Sequence, residues 1–183
     1  PHTADEHAAH IPPFRKSPGC GAGRYGALHY QTDGTATLLE LLGQSVPDSW
    51  DGESFAATLK AGADVGRDHL VTSQGAWTCQ RGVRFDQWML ISTLHDGYHL
   101  WDDVMLFDLA ADPHEQVNLA AARADVADHG LALLADWMAQ QMPTAARGRD
   151  PLANVVAEGG PYHVRGQLKG YLARLRATGR GAL

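Results

Sequence analysis

The sequence predicts an α+β fold in which a small antiparallel sheet of three to four strands packs against helices. Four short β-prone segments follow one another closely, at residues 69–74, 79–85, 87–93 and 104–109, with polar turns between them. Such close spacing is typical of an antiparallel meander. Segments with apolar residues at helical spacing lie before and after the strands, which favours helices that pack on the sheet.

Composition excludes several classes of protein. The chain has 183 residues, of which 44% are hydrophobic, enough for one good core. A net charge of −6 argues against a nucleic-acid partner, and no window has the apolar length of a membrane span. Two cysteines, Cys20 and Cys79, cannot form a disulfide framework and lack the spacing of zinc ligands. Together with the lack of a visible signal peptide, this favours a cytoplasmic location.

Two helices are predicted before the strands. Asp33 is expected to be the N-cap of a helix at residues 34–43, and Gly43 is expected to end it. A second helix is expected from Ser54 to about residue 62. The leucines of the first helix are predicted to form an apolar face: Leu38, Leu39, Leu41 and Leu42.

A long helix is predicted after the strands. Asp112-Pro113 suits a helix start, with Glu115 in the first turn. Residues 143–162 are expected to be a surface connection, and a last helix is expected from about His163. The apolar residues of the long helix fall roughly along one side: Val126, Leu131, Leu134, Trp137, Met138 and Met142.

The stretch MLFDLAADPHEQVNLA, residues 105–120, contains four potential metal ligands. These are Asp108, Asp112, His114 and Glu115. They could form a metal site or an acid/base pair, or they could cap the end of a strand and the start of a helix. Acidic residues beside an Asp-Pro turn are common in structural roles, so the structural interpretation is favoured.

Other residues invite chemical hypotheses. Neutral imidazole and carboxylate groups suit divalent ions, but neither histidine cluster has the His-x-x-x-His helix spacing that would be specific. Arg81, Arg84 and Lys60 could serve anionic ligands. The histidine clusters are His2, His7 and His10 beside Asp5 and Glu6, and His95 and His99 flanking Asp96.

Three stretches occur in the order seen in sulfatases, and together they resemble that family. They are WDGESFAATLKAG at 50–62, LVTSQGAWTCQRGVRFDQWMLISTLHDGYH at 70–99, and MLFDLAADPHEQVNLA at 105–120. The resemblance implies the C-terminal portion of an alkaline-phosphatase-like α/β fold. Residues 1–62 would then be a remnant of the large catalytic domain, and residues 63–183 the C-terminal subdomain.

The resemblance also implies a chemistry. Sulfatases cleave sulfate esters with a formylglycine made from the Cys or Ser of a Cys/Ser-x-Pro-x-Arg motif, assisted by a divalent cation, usually calcium. The CGAGR stretch at Cys20 is not this motif, because Ala22 stands where proline is required. The metal-binding pair of the family is expected upstream of Pro1, so no metal ligand is assigned to this chain. His2 is the one candidate for a sulfate contact.

The chain is therefore expected to be a sulfatase fragment that is inactive alone. Its partners would be the missing N-terminal catalytic half and, in the intact enzyme, a small sulfate ester. Phosphodiester and phosphonate ester hydrolases share the scaffold, so the acid group stays open. Tyr98, His99 and Trp101 are hypothesised to contribute to the substrate pocket, provided that they do not point into a core.

Two rival hypotheses stay open. The chain could be a non-catalytic α+β interaction module that binds a partner through an apolar face. It could also be a small metal hydrolase that uses His7, His10 and Asp5. The missing large sheet would leave leucines of the helix at 34–43 exposed, which predicts association or aggregation.

Overall fold

The computed structural model describes residues 26–61, 66–144 and 149–179. The described residues divide into two compact units: the first unit ends at Leu70, and the second unit begins at Val71. The predictions for His2, Cys20 and the other residues before position 26 lie outside the described part. No helix in the described ranges is long and apolar enough to cross a membrane.

The second unit is built on a four-stranded antiparallel meander. The strands stand in the order β1-β2-β3-β4, as the spacing of the sequence predicts. Phe85 pairs with Trp88 across a two-residue turn, in which Asp86 has a φ of 43°. The four strands are His69–Gln74 (β1, which begins in the first unit), Cys79–Phe85 (β2), Trp88–His95 (β3) and Val104–Asp108 (β4).

Strand β3 contributes to both faces of the sheet, because successive side chains of a strand point to opposite sides. Leu90 belongs to one buried cluster, and Met89 and Ile91 belong to another. The first cluster includes Leu134 of helix α3 (Ala124–Gln141), which packs on that face. An α+β fold with helices against an antiparallel sheet is therefore confirmed.

The prediction that α3 starts at Pro113 is wrong by about ten residues. Glu115 lies in a turn with a φ of 53°, well before the first residue of the helix, Ala124. The carboxylate of Asp112 accepts hydrogen bonds from the amides of Gln116 and Val117 at 2.6 and 2.8 Å. Because these amides are already bonded, the segment runs on as a turn instead of beginning a helix.

The two aspartates Asp108 and Asp112 do cap and turn the chain, as predicted. Asp108 accepts from the amides of Ala110 and Ala111 at 3.0 and 3.3 Å. The side chain of Asn118 accepts from the Leu106 amide at 3.0 Å, and the Leu119 amide donates to the Leu106 carbonyl at 2.8 Å. Residues 118–119 therefore bond to the outer edge of β4.

The expectation of a plain surface connection at 143–162 is wrong. A 3-10 turn, Met142–Thr144, is followed by helix α4 at Pro151–Ala157 and by a second 3-10 turn at Tyr162–Val164. Asp150 caps α4 by accepting from the Leu152 amide at 3.0 Å, next to a proline at the first helical position. The last helix, α5, is Leu168–Ala177 and begins later than predicted.

The first unit contains helices α1 (Gln31–Leu41) and α2 (Ala56–Ala61). Gly43, with a φ of 73°, follows the C-cap of α1 as predicted. The predicted N-cap is wrong, because Asp33 is the third residue of α1 and the cap is Tyr30. The carboxylate of Asp33 accepts a hydrogen bond from the Tyr30 amide at 2.8 Å and forms an ion pair with Arg67 at 2.7 Å.

The leucines at 38–42 do not form the buried face of α1, in keeping with the exposure expected for them. The buried side chains of the helix are Asp33, Ala36 and Thr37, whereas Leu38 and Leu42 are 55% and 66% exposed. The ion pair between Asp33 and Arg67 fixes which side of the helix is turned inward. Burial raises the pKa of Asp33, but hydrogen bonds from Arg67 and from backbone amides outweigh it, so the pKa lies below its usual value.

Candidate functional site

The loop between β3 and β4 is held in an uncommon backbone conformation. Gly97, Tyr98 and Leu100 have φ values of 63°, 64° and 62°, in the left-handed region that non-glycine residues rarely adopt. Asp96 holds this path, because its two carboxylate oxygens accept from the amides of Tyr98 at 2.9 Å and Leu100 at 2.8 Å. Strained loops of this kind are often found at functional sites.

His95 anchors the start of the loop. Its Nδ1 accepts a hydrogen bond from the Gly97 amide at 3.0 Å. Gly160 fits against the same imidazole, since a Cβ there would overlap the ring. A Cβ at Gly97 would likewise overlap the carbonyl oxygen of Trp77 in the β1–β2 turn. The loop is therefore fixed against both the sheet and the segment that follows α4.

Aromatic rings meet at this end of the sheet. Tyr98 stacks on Tyr171 of α5 with 5.0 Å between ring centroids, and it lies 5.6 Å from the ring of His95. Trp77 contacts His163 at a centroid distance of 5.0 Å. We call these five residues the aromatic cluster.

The three residues of the hypothesised substrate pocket lie in different surroundings. Tyr98 is half-buried against Tyr171. Trp101 packs against the second buried cluster of the sheet, and His99 is exposed and stacks on Trp101 at 4.8 Å. The structure does not bring their three side chains into one pocket, and their contribution to substrate binding stays a prediction.

Sequence reasoning missed Trp77, His163 and Tyr171 as neighbours of the loop. Trp77 could have been found, because alternate turns of a meander lie at the same end of the sheet and Trp77 lies in such a turn. His163 and Tyr171 come from a later segment that packs there, and no local pattern in the sequence indicates that contact.

Positive charge concentrates on the segment that follows α3. Residues 149–179 contain five Lys or Arg and two acids, Asp150 and Glu158. Asp150 pairs with Arg81 of β2 at 2.9 Å, and Glu158 pairs with Arg165 at 2.6 Å. The cations of this segment are Arg149, Arg165, Lys169, Arg174 and Arg176.

The two arginines considered for anionic ligands, Arg81 and Arg84, form hydrogen bonds within the protein. Arg81 donates to both carboxylate oxygens of Asp150 and to the hydroxyl of Ser73. Arg84 donates to backbone carbonyls at the β2–β3 turn. Neither side chain is positioned as an open anion site.

The described residues do not fit the divalent cation that the sequence resemblance implies. Within ranges 26–61, 66–144 and 149–179, no group of three or more His, Cys, Asp or Glu side chains could hold a metal ion. His95 and His99 flank Asp96 in sequence, but the carboxylate of Asp96 is bonded to loop amides. No step through a metal is therefore assigned to this part of the chain.

Comparison with known proteins identifies the fold. No protein-family model and no curated protein sequence matches the chain. Among solved structures, the chain is similar to the presumptive sulfatase yidJ from Bacteroides fragilis, with 22% identity and a TM-score of 0.52 over 72% of this chain. The chain shares the fold of sulfatases.

A second similar structure is BT4656, solved in complex with its substrate D-glucosamine-2-N,6-O-disulfate. It has 22% identity and a TM-score of 0.51 over 66% of this chain. The chain spans only about a quarter of the sulfatase-fold structures it matches, 28% of yidJ and 25% of BT4656. The resemblance to sulfatases that the sequence predicts is confirmed at the level of fold.

Proposed function

We propose that this chain forms the C-terminal subdomain of a sulfate ester hydrolase. The observation that carries the proposal is the sulfatase fold, matched over 72% of this chain and 28% of yidJ. The ordered sequence resemblance from residue 50 to residue 120 supports the same assignment independently of the coordinates. In this role the meander and its loops border the substrate pocket of the whole enzyme.

The reactive groups are supplied by residues outside these 183. The sequence contains no Cys/Ser-x-Pro-x-Arg motif, so the formylglycine nucleophile comes from another segment. The same segment supplies the ligands of a divalent cation, calcium by resemblance, which would polarise the sulfate group. The chain alone is therefore inactive, because positioning cannot replace both nucleophile and metal.

The coding DNA upstream of the Pro1 codon tests this proposal. An open frame with a Cys/Ser-x-Pro-x-Arg motif and an Asp-His or Asp-Asn pair supports a sulfatase whose C-terminal part is this chain. A stop codon followed by a genuine start site directly before Pro1 would remove the enzyme assignment.

A second candidate function is a non-catalytic interaction module. The exposure of Leu38 in α1 and of Leu42, the C-cap of that helix, favours it, because neighbouring exposed apolar residues indicate a missing partner surface. Sedimentation of the isolated chain distinguishes the two. A monomer that unfolds cooperatively favours the module, and aggregation relieved by Leu38→Lys with Leu42→Lys favours the loss of a covering domain.

A further inference from the structure

We propose that His95 is a pH-sensitive switch, which holds the β3–β4 loop, residues 96–103, while its imidazole is neutral and releases the loop when the imidazole is protonated. The proposal goes beyond the proposed function and does not rest on it. It applies equally to the subdomain of an enzyme and to an interaction module, because it concerns only contacts within the second unit.

One hydrogen bond joins the protonation state of His95 to the path of the loop. The Gly97 amide donates to Nδ1 of His95 at 3.0 Å. A neutral imidazole has one ring nitrogen that accepts, whereas an imidazolium donates from both nitrogens and accepts at neither. Protonation therefore breaks this bond and places two N–H groups face to face.

The ring of His95 has no room to turn away from this conflict. Gly160 packs against it so closely that a Cβ there would overlap Nε2, Cε1 and Cδ2 of the imidazole. The ring of Tyr98 lies 5.6 Å from the same imidazole, centroid to centroid. Because the imidazole is enclosed by these neighbours, the conflict is relieved by movement of the loop.

The loop is in a conformation that depends on its hydrogen bonds. Tyr98 and Leu100 have φ values of 64° and 62°, which residues with a side chain disfavour. Three bonds from loop amides hold this path, one to His95 and two to the carboxylate of Asp96. Loss of the first bond frees the beginning of the loop, at Gly97, and shifts the balance towards more relaxed backbone conformations.

The groups of β2 and of the loop itself do not stabilise a protonated ring in the packed arrangement. The residue of β2 that pairs with His95 is Cys79, whose buried thiol has a raised pKa. The adjacent acid, Asp96, uses its two oxygens to accept from loop amides. Among the described residues, no carboxylate lies within ion-pair distance of the His95 ring.

The charged groups on the later segment are also engaged elsewhere. After α4, Arg165 donates to the carbonyl of Gly160, the residue that packs on the imidazole, and its guanidinium pairs with Glu158. On α5, the guanidinium of Arg174 lies 5.8 Å from the centroid of the Tyr171 ring. A protonated His95 thus loses an acceptor and gains no anionic partner in return.

Release of the loop would loosen two further contacts. Tyr98 stacks on Tyr171, which joins the loop to α5, and Gly97 fits against the carbonyl of Trp77 in the β1–β2 turn. Histidine is the side chain whose charge ordinarily changes between pH 5 and 8. The aromatic cluster should therefore be packed at pH 8 and loosened as the pH falls towards 5.

Nuclear magnetic resonance of the whole, isotopically labelled chain tests the proposal between pH 8 and pH 5.5. Long-range proton–nitrogen spectra report which ring nitrogens of His95 carry a proton. We expect the amide signal of Gly97 to shift with the same midpoint as the ring of His95. Protection of the Gly97, Tyr98 and Leu100 amides against exchange, corrected for the intrinsic rate at each pH, should fall about fivefold, the loss expected from one hydrogen bond.

His95→Gln removes the titrating ring, so the protection of the loop amides should be the same at both pH values. His99→Gln is the matched control, because His99 lies exposed in the same loop and stacks on Trp101. His163→Gln is a second control, since His163 is the other histidine of the aromatic cluster and contacts Trp77. Both controls should keep the fivefold change.

Three results would overturn the proposal. Protonation of His95 with unchanged protection of the loop amides would show that the bond to Gly97 does not hold the loop. A pH dependence that persists in His95→Gln, or one that disappears in His163→Gln, would assign the change to another group. The titration of the unaltered chain needs no substitution, so it tests the proposal even if His95→Gln does not fold.

Discussion

Arg81 of β2 and Asp150, the N-cap of α4, form a bidentate ion pair, in which two guanidinium nitrogens donate to the two carboxylate oxygens. The Nη1–Oδ2 and Nη2–Oδ1 distances are 3.0 and 2.9 Å. The side chains are only 10% and 16% exposed. Asp150 also caps α4, so one carboxylate joins the helix to the sheet and satisfies a helix amide.

Asp150→Ala is expected to destabilise the protein by about 3 kcal/mol, because it leaves Arg81 buried without its partner and removes a helix cap. Urea unfolding measures the change. Asp125→Ala is the matched control, since its pair with Arg123 is exposed and the substitution should destabilise the protein much less. Equal effects of the two substitutions would show that the Arg81–Asp150 pair is not a principal contact.

Acid should destabilise the protein through Asp33 and Asp150. The hydrogen bond from Arg81 lowers the pKa of Asp150 despite its burial, and the contacts of Asp33 lower the pKa of that group too. A carboxyl with a lowered folded-state pKa adds stability above its unfolded-state pKa. That stability is lost as the pH falls through the folded value. The free energy of unfolding should therefore decrease as the pH drops below about 4.

Asp150→Asn separates this effect from general acid unfolding. The substitution removes the titrating group, so the fall in unfolding free energy between pH 5 and pH 3 should be smaller than in the unaltered chain. An unchanged pH dependence would contradict the assigned pKa shift.

Gly97→Ala should disrupt the β3–β4 loop. The added Cβ overlaps the carbonyl of Trp77, and the residue must keep a φ of 63°. Gly166→Ala measures the destabilisation caused by the positive φ alone, because Gly166 has a φ of 71° and open space around its Cβ position. Thermal unfolding should show a modest loss for Gly166→Ala, about 1 kcal/mol, and a clearly larger loss for Gly97→Ala.

The thiol of Cys79 should react only when the structure opens. It is fully buried and 3.5 Å from the carbonyl of Leu152 in α4, and burial raises its pKa. A buried thiol with a raised pKa reacts slowly with a disulfide reagent. In a Cys20→Ser background, the labelling rate should rise in Asp150→Ala, which weakens the attachment of α4. Rapid labelling of the native chain would contradict this placement.

The strands were predictable because their determinants are local. Alternating β-prone residues and polar turns give the bounds of β1 and β2 to the residue. The buried face of α1 was not predictable, because it depends on Arg67, which lies 34 residues from Asp33. A local pattern did mark α4, where an aspartate precedes a proline, and it was overlooked.

The candidate site was predicted only in part. The β3–β4 loop stood out by its composition, but the partner of Tyr98 is a tyrosine of α5 that spacing cannot place. The late start of α3 was missed because the side chain of Asp112, and not the helix, takes the amides that follow. Hydrophobic periodicity does not predict hydrogen bonds from side chains to the backbone, and it does not predict contacts between segments that lie far apart in the sequence.

Sulfate release by the product of the whole reading frame tests the central claim most directly. The frame is expressed with its formylglycine-generating partner and assayed on 4-nitrocatechol sulfate with calcium, beside residues 1–183 alone. The account predicts turnover by the whole product, loss of turnover when the motif Cys or Ser becomes Ala, and none by the chain alone. Turnover by residues 1–183 alone, or none by a correctly modified whole product on any sulfate ester, would contradict it.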